Sequence, residues 1–109
     1  MIRVLLADDQ ELIRTALATT LDLEDDLEVV GVAGNCAAAV EVAAATRPDV
    51  VLLDVQMPTG GLAGEDGIDA IVPLLAVAPD ARVLVVTTFG RPGYLRRALE
   101  AGAIGFMVK

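Results

Sequence analysis

Short, nearly unbroken apolar runs alternate along the chain with segments whose apolar residues recur every three or four positions. The runs IRVLLA (2–7), LEVVGVA (27–33), DVVLLD (49–54), ARVLVVT (81–87) and AIGFMV (103–108) predict five strands. Three of them lack the polar alternation of a half-solvated strand, as expected for a parallel sheet covered on both faces. The intervening segments predict helices: ELIRTALATTLDL, CAAAVEVAAATR, Ile68–Val77 and PGYLRRALEAG. The first places Leu12, Ile13, Ala16, Leu17 and Leu21 on one face at helical spacing. Pro48 stops the second, and Gly102 caps the last. Pro-Asp follows a helix and precedes a strand twice, at 48–49 and 79–80. Pro73 predicts a bend or a late start in the third helix, because an interior proline costs about 3 kcal/mol. Alternating strands and helices with short connections give an α/β fold with an open, doubly wound parallel sheet. In such sheets the functional crevice lies beyond the carboxyl ends of the strands.

Composition narrows the classes. The 109 residues fit one domain, and at 55% hydrophobic but only 3% aromatic the core must be built from Ala, Val, Leu and Ile. A net charge of −8, from 16 acidic and 8 basic residues, argues against a grip on a nucleic-acid backbone. The lone Cys36 excludes an intramolecular disulfide and suits a reducing cytoplasm. No apolar run approaches the ~20 residues of a membrane span. MIRVLLADD reads as a strand without a signal-peptide cleavage site. A cytoplasmic location with no membrane partner is the expectation.

The strand ends carry the candidate chemistry. Strand one ends in Asp8-Asp9, strand three in Asp54, strand four in Thr87-Thr88 and strand five in Lys109; strand two ends blandly at Gly34-Asn35. Three carboxylates within a few ångströms need a counter-charge. An all-oxygen set favours a hard divalent cation, Mg²⁺ or Mn²⁺. A metal with open positions can hold phosphoryl oxygens, and a carboxylate can act as nucleophile to form an aspartyl phosphate. Thr87 would donate to a phosphoryl oxygen and Lys109 would pair with another, while Thr88 narrows access.

Each residue also has a plainer reading. Asp8 or Asp9 would cap the first helix. Phe106 would be plain core and Cys36 a small packing residue. Glu65, Asp66 and Asp69 would form a solvated helix N-terminus. Arg91, Arg96 and Arg97, on the fourth helix, would be a solvated face or a partner and output surface.

ADDQ after strand one, LLDVQMP after strand three, VVTTF after strand four and GFMVK at the end resemble the receiver domain of bacterial two-component response regulators. The resemblance spans essentially the whole chain. It implies a flavodoxin-like five-stranded sheet in the order 2-1-3-4-5. It further implies Asp54 as phosphoacceptor, Asp9 as direct Mg²⁺ ligand, the Gln56 carbonyl as a further ligand and Asp8 acting through metal-bound water. Thr87 and Lys109 correspond to the phosphate-sensing pair and Phe106 to an aromatic switch, with Thr88 and Gln56 bordering access to the phosphate. TTFGRPGYLRRALEAG is similar to the NarL/FixJ class, and its TTF-x-RPGY phrase to DesR-type regulators. That implies a sensor histidine kinase as partner, a homodimer on activation, and DNA binding only through a separate helix-turn-helix domain. The chain would be a switch that catalyses only its own phosphorylation and dephosphorylation.

Two features depart from the pattern. Eight residues, TGGLAGED, separate Pro58 from Gly67 where the family has about three, and the chain stops at Lys109, before the fifth helix and any effector domain. An enzyme of the phosphohydrolase type would want a second Asp two residues after the nucleophile, where this chain has Gln56. A flavin carrier would want a hydroxyl- and glycine-rich loop where it has ADDQEL.

Overall fold

The computed structural model describes residues 1–88 and 91–108. Five parallel strands, β1 (Ile2–Ala7), β2 (Leu27–Ala33), β3 (Val50–Leu53), β4 (Arg82–Thr87) and β5 (Gly105–Val108), form one sheet in the order β2-β1-β3-β4-β5. Four α-helices connect them: α1 (Glu11–Asp22), α2 (Cys36–Thr46), α3 (Ile71–Val77) and α4 (Tyr94–Ala101). The strand order is the one the family resemblance implies.

Local chemistry sets most boundaries. Asn35 caps α2, its side chain accepting from Ala38 N at 2.8 Å. Gly102 ends α4 at φ +117°, a left-handed conformation that costs glycine little, and Ala103 N closes back on Ala98 O. The Pro-Asp after α2 serves strand entry: Asp49 takes the Arg3 N–H on its carboxylate and donates its own N–H to the Arg3 carbonyl. The third helix starts late, as Pro73 requires. A 3-10 turn, Gly67–Ala70, precedes α3, so Pro73 falls in the first α-helical turn, where no N–H is needed.

The core lies on one face of the sheet. Leu5 and Ala7 of β1, Val51 and Leu53 of β3, and Val83 and Val85 of β4 point there, against Ala39 and Ala43 of α2, Ile71 and Leu74 of α3 and Ala98 of α4. Small helix residues let the backbones approach the sheet, which is how so few aromatics suffice.

Among the described residues α1 alone lies on the opposite face, against β1 and β2, and none of its residues is buried; Leu12 is 82% exposed. Beside it an apolar groove of about 200 Å³ runs along Leu6, Leu52, Leu84, Val86 and Met107, with Leu17 on its wall. The continuous apolar runs therefore have one fully covered face and one covered only over β1 and β2.

Candidate functional site

The acidic site follows from register. Ala7 of β1 pairs with Leu53 of β3, so the next residues, Asp8 and Asp54, emerge side by side. Backbone hydrogen bonds fix both: Asp54 N donates to Ala7 O at 2.9 Å and Asp8 N to Ala33 O at 3.0 Å. Asp8 and Asp54 are buried and Asp9 is exposed. One carboxylate oxygen from each of the three lies within 4.8 Å of the others.

Each buried acid is steadied by the chain just after it. Asp8 Oδ1 accepts from Gln10 N at 2.9 Å, and Asp54 Oδ1 accepts from Gln56 N at 3.2 Å, two instances of one aspartate turn. The plainer reading of Asp8 or Asp9 as the cap of α1 does not hold, because Gln10 is the cap residue and no side chain caps the helix; the Asp8 carboxylate closes the turn just before it. Arg14 of α1 donates to the Asp8 carbonyl oxygen at 2.9 Å and stiffens the turn from the other side.

The extended loop after β3 is folded onto the molecule. Pro58 and Thr59 offer their carbonyls to Cys36 N and Ala37 N at 2.9 and 3.0 Å, satisfying two open donors at the start of α2. Gly67 returns the chain to the site: its N–H donates to Val55 O at 2.7 Å, and a Cβ there would overlap the Asp54 carbonyl oxygen. Cys36 is fully buried, with Sγ 3.4 Å from Asp66 O. Burial first, and then the nearby charges of Asp66 and Asp69, push its thiol up from the ordinary 9.0 to about 11. It is a packing residue, as its sequence position suggests.

Glu65, Asp66 and Asp69 are more engaged than a solvated helix end. Asp66 caps the 3-10 turn, and Asp69 Oδ2 accepts from Glu65 N at 2.7 Å and Asp66 N at 3.2 Å. The Glu65 N–H above all, with Asp66 N–H and Arg97 adding, holds the Asp69 carboxyl below its ordinary value. Arg97 crosses from α4 to grip Asp66, so the expected arginine face divides. Arg91 precedes the helix, Arg96 reaches Glu100 at 4.0 Å in solvent, and Arg97 turns inward to the loop.

Of the other expected residues, Thr87 is wholly buried at the end of β4, and Thr88 is exposed just beyond it. The Gln56 side chain is exposed at the mouth of the acidic pocket, and Phe106 is half-buried against the core. Lys109 lies outside the described residues, as does Phe89 of the VVTTF motif. Neither Arg14 nor Arg97 stands out in the sequence as part of this region. Arg14 sits among the apolar positions of α1, and the partners of Arg97 are 31 and 28 residues away.

Three clustered carboxylates with no nitrogen or sulfur donor fit a hard divalent cation. A cation there would sit among three like charges and offset them.

The chain is similar to known proteins over essentially its whole length. The family model of the response regulator receiver domain matches residues 4–109. The transcriptional regulatory protein DesR of Bacillus subtilis is 38% identical over 109 residues, covering all of this chain and 51% of its own length. The signal receiver domain of NarL from Mycobacterium tuberculosis superposes with a TM-score of 0.85 at 36% identity, over 98% of this chain and 82% of that one. A Burkholderia pseudomallei response regulator, solved with a phosphorylated aspartic acid and a calcium ion, gives a TM-score of 0.85 at 28% identity, over 100% of this chain and 60% of its own. The chain spans about half the length of the curated relatives it matches. No helix among the described residues is long and apolar enough to cross a membrane.

Proposed function

The chain belongs to the response regulator receiver domain family, and on that premise we propose that it is a signalling switch whose phosphoacceptor is Asp54. The chain contains no histidine, so the phosphohistidine donor belongs to a partner, a sensor histidine kinase. The observation that carries the reading is the clustering of Asp8, Asp9 and Asp54 beyond the registered ends of β1 and β3.

In the transfer, a carboxylate oxygen of Asp54 attacks phosphorus. The new P–O bond forms as the P–N bond to the donor imidazole breaks, and the electron pair leaves with that nitrogen. Gln56 N–H on Oδ1 orients the carboxylate before attack. Asp9, Asp54 and the Gln56 carbonyl would hold Mg²⁺ directly and Asp8 through water; Mn²⁺ would substitute. When bound, the ion neutralises charge on the phosphoryl oxygens. Burial of Asp8 and Asp54 keeps the reacting centre partly dry, which strengthens each of these interactions.

The readout runs through β4 and β5. Thr87 donates its hydroxyl to a phosphoryl oxygen and Lys109 pairs with another, while Thr88 and Gln56 border access. Drawing Thr87 in shifts the segment after β4, and Phe106 turns further inward. This biases a pre-existing two-state equilibrium, worth a few kcal/mol at most. In a longer protein of DesR type the shift would control homodimerisation and DNA binding by a separate effector domain in the cytoplasm. The chain turns over no other substrate. Incubation with Mg²⁺ and acetyl phosphate, followed by intact mass, tests the reading. One labile phosphoryl adduct is expected, absent from Asp54→Ala; no adduct in the unaltered chain at saturating Mg²⁺ would contradict it.

A further inference from the structure

Arg97 ties α4 to the loop that enters the 3-10 turn. Its guanidinium lies 3.1 and 3.2 Å from the two Asp66 carboxylate oxygens, in a bidentate pair, and 3.5 Å from Asp69 Oδ1. It also sits 6.0 Å from the centre of the Tyr94 ring one turn earlier on α4. Asp66 is the cap of the 3-10 turn, and the next residue, Gly67, packs its backbone on the Asp54 carbonyl. A contiguous path therefore runs from the main chain of Asp54 through Gly67 and Asp66 to α4. In the chain Thr87 also leads toward α4, and the extra loop residues supply the hold on that helix through Asp66.

We propose that Arg97 is a positioning residue whose ion pair with Asp66 and Asp69 locks α4 against the loop after Asp54 and opposes the switched state. The inference rests on the reading of Asp54 as phosphoacceptor and Thr87 as its sensor. Drawing Thr87 toward a phosphoryl group pulls on the segment that leads into α4, and the lock resists that pull. Loosening it raises the population of the acceptor-competent state before any phosphate arrives.

The test uses Arg97→Gln, Asp66→Asn and their double variant. Asparagine keeps the cap oxygen at position 66 while removing the charge, so the turn survives. The measurements are the rate of phosphorylation by acetyl phosphate with Mg²⁺, read by intact mass, and amide hydrogen exchange across 94–101 without phosphodonor. Arg97→Gln is expected to phosphorylate about fivefold faster and to exchange faster in α4, and Asp66→Asn, which leaves the Asp69 contact, to change both by less. The double variant should match Arg97→Gln, since Asp66→Asn removes part of the same interaction. Arg97→Lys should fall between, because an ammonium cannot bridge two oxygens in a fixed plane. Wild-type rates and exchange in both single variants, or a double variant whose effects add, would overturn the lock. If the unaltered chain takes up no phosphoryl group, the acceptor reading falls instead. Exchange in Arg97→Gln then decides the lock separately, and unchanged exchange overturns it.

Discussion

The main-chain N–H of Asp54 donates to the Ala7 carbonyl at 2.9 Å, tying the buried acid after β3 to the residue that leads into Asp8 and Asp9. The site therefore sits immediately beyond the registered ends of two adjacent strands, which fix the backbone of the acids that follow. Substitutions that keep side-chain shape should alter its charge without disturbing its frame.

Metal dependence follows directly. With Mg²⁺ at a hundred times its dissociation constant the unaltered chain should gain about 2.7 kcal/mol. Asp9→Asn should lose most of that gain and Asp8→Asn a smaller part, as direct and water-mediated ligands require. Equal losses by Mg²⁺ titration would leave the site standing and reverse that ranking.

Gly67→Ala probes the close approach of the loop to the acid. The added methyl group meets the Asp54 carbonyl oxygen, and backbone on both sides must shift. A loss of about 2 kcal/mol is expected from urea unfolding, with a slower phosphorylation rate. Gly61→Ala is the control: nothing lies within 4 Å of its added carbon, and only its positive φ opposes the change. It should cost about 1 kcal/mol and leave the rate alone.

Cys36 should resist alkylation in the folded protein. Its thiol is buried and titrates at about 11, so little thiolate exists at neutral pH. Because the folded value lies above the ordinary 9.0, the thiol's contribution to stability is whole below about pH 9. It is lost as the pH rises through about 11. Iodoacetamide labelling should be slow in buffer and complete in urea; rapid native labelling at neutral pH would contradict the packing role.

Asp69 gives the acid side of the pH profile. Its carboxyl is held below the ordinary 3.8, chiefly by the Glu65 N–H, so its contribution is present above that value and lost as the pH falls through the lowered one. Asp69→Asn should therefore be less stable than the unaltered chain above the ordinary value, and the two should converge as the pH falls through the lowered one. A constant gap between the two urea curves would contradict this.

Much of the architecture was written in the residue pattern because a parallel sheet needs apolar runs, and proline and glycine punctuate the helices. The acidic cluster was legible for a related reason: residues just past strand ends converge wherever neighbouring strands share register, as Ala7 and Leu53 do. Helix α1 was legible from its apolar spacing, but its burial was not, because periodicity does not report what covers a face. Arg97 was unreadable for a different reason. A pairing across 31 residues depends on where a long loop folds back, and no local pattern encodes that. The folding of the eight-residue loop onto α2 by two backbone hydrogen bonds is equally silent in side-chain pattern.

The central claim is that Asp54, and no other acid of the cluster, carries the phosphoryl group. Treating the chain with Mg²⁺ and acetyl phosphate, reducing the acyl phosphate with borohydride and mapping peptides locates the modified residue. Modification is expected at Asp54 alone, lost in Asp54→Asn while Asp8 and Asp9 stay unmodified. Modification at Asp8 or Asp9 of the unaltered chain, or undiminished labelling of Asp54→Asn, would contradict it.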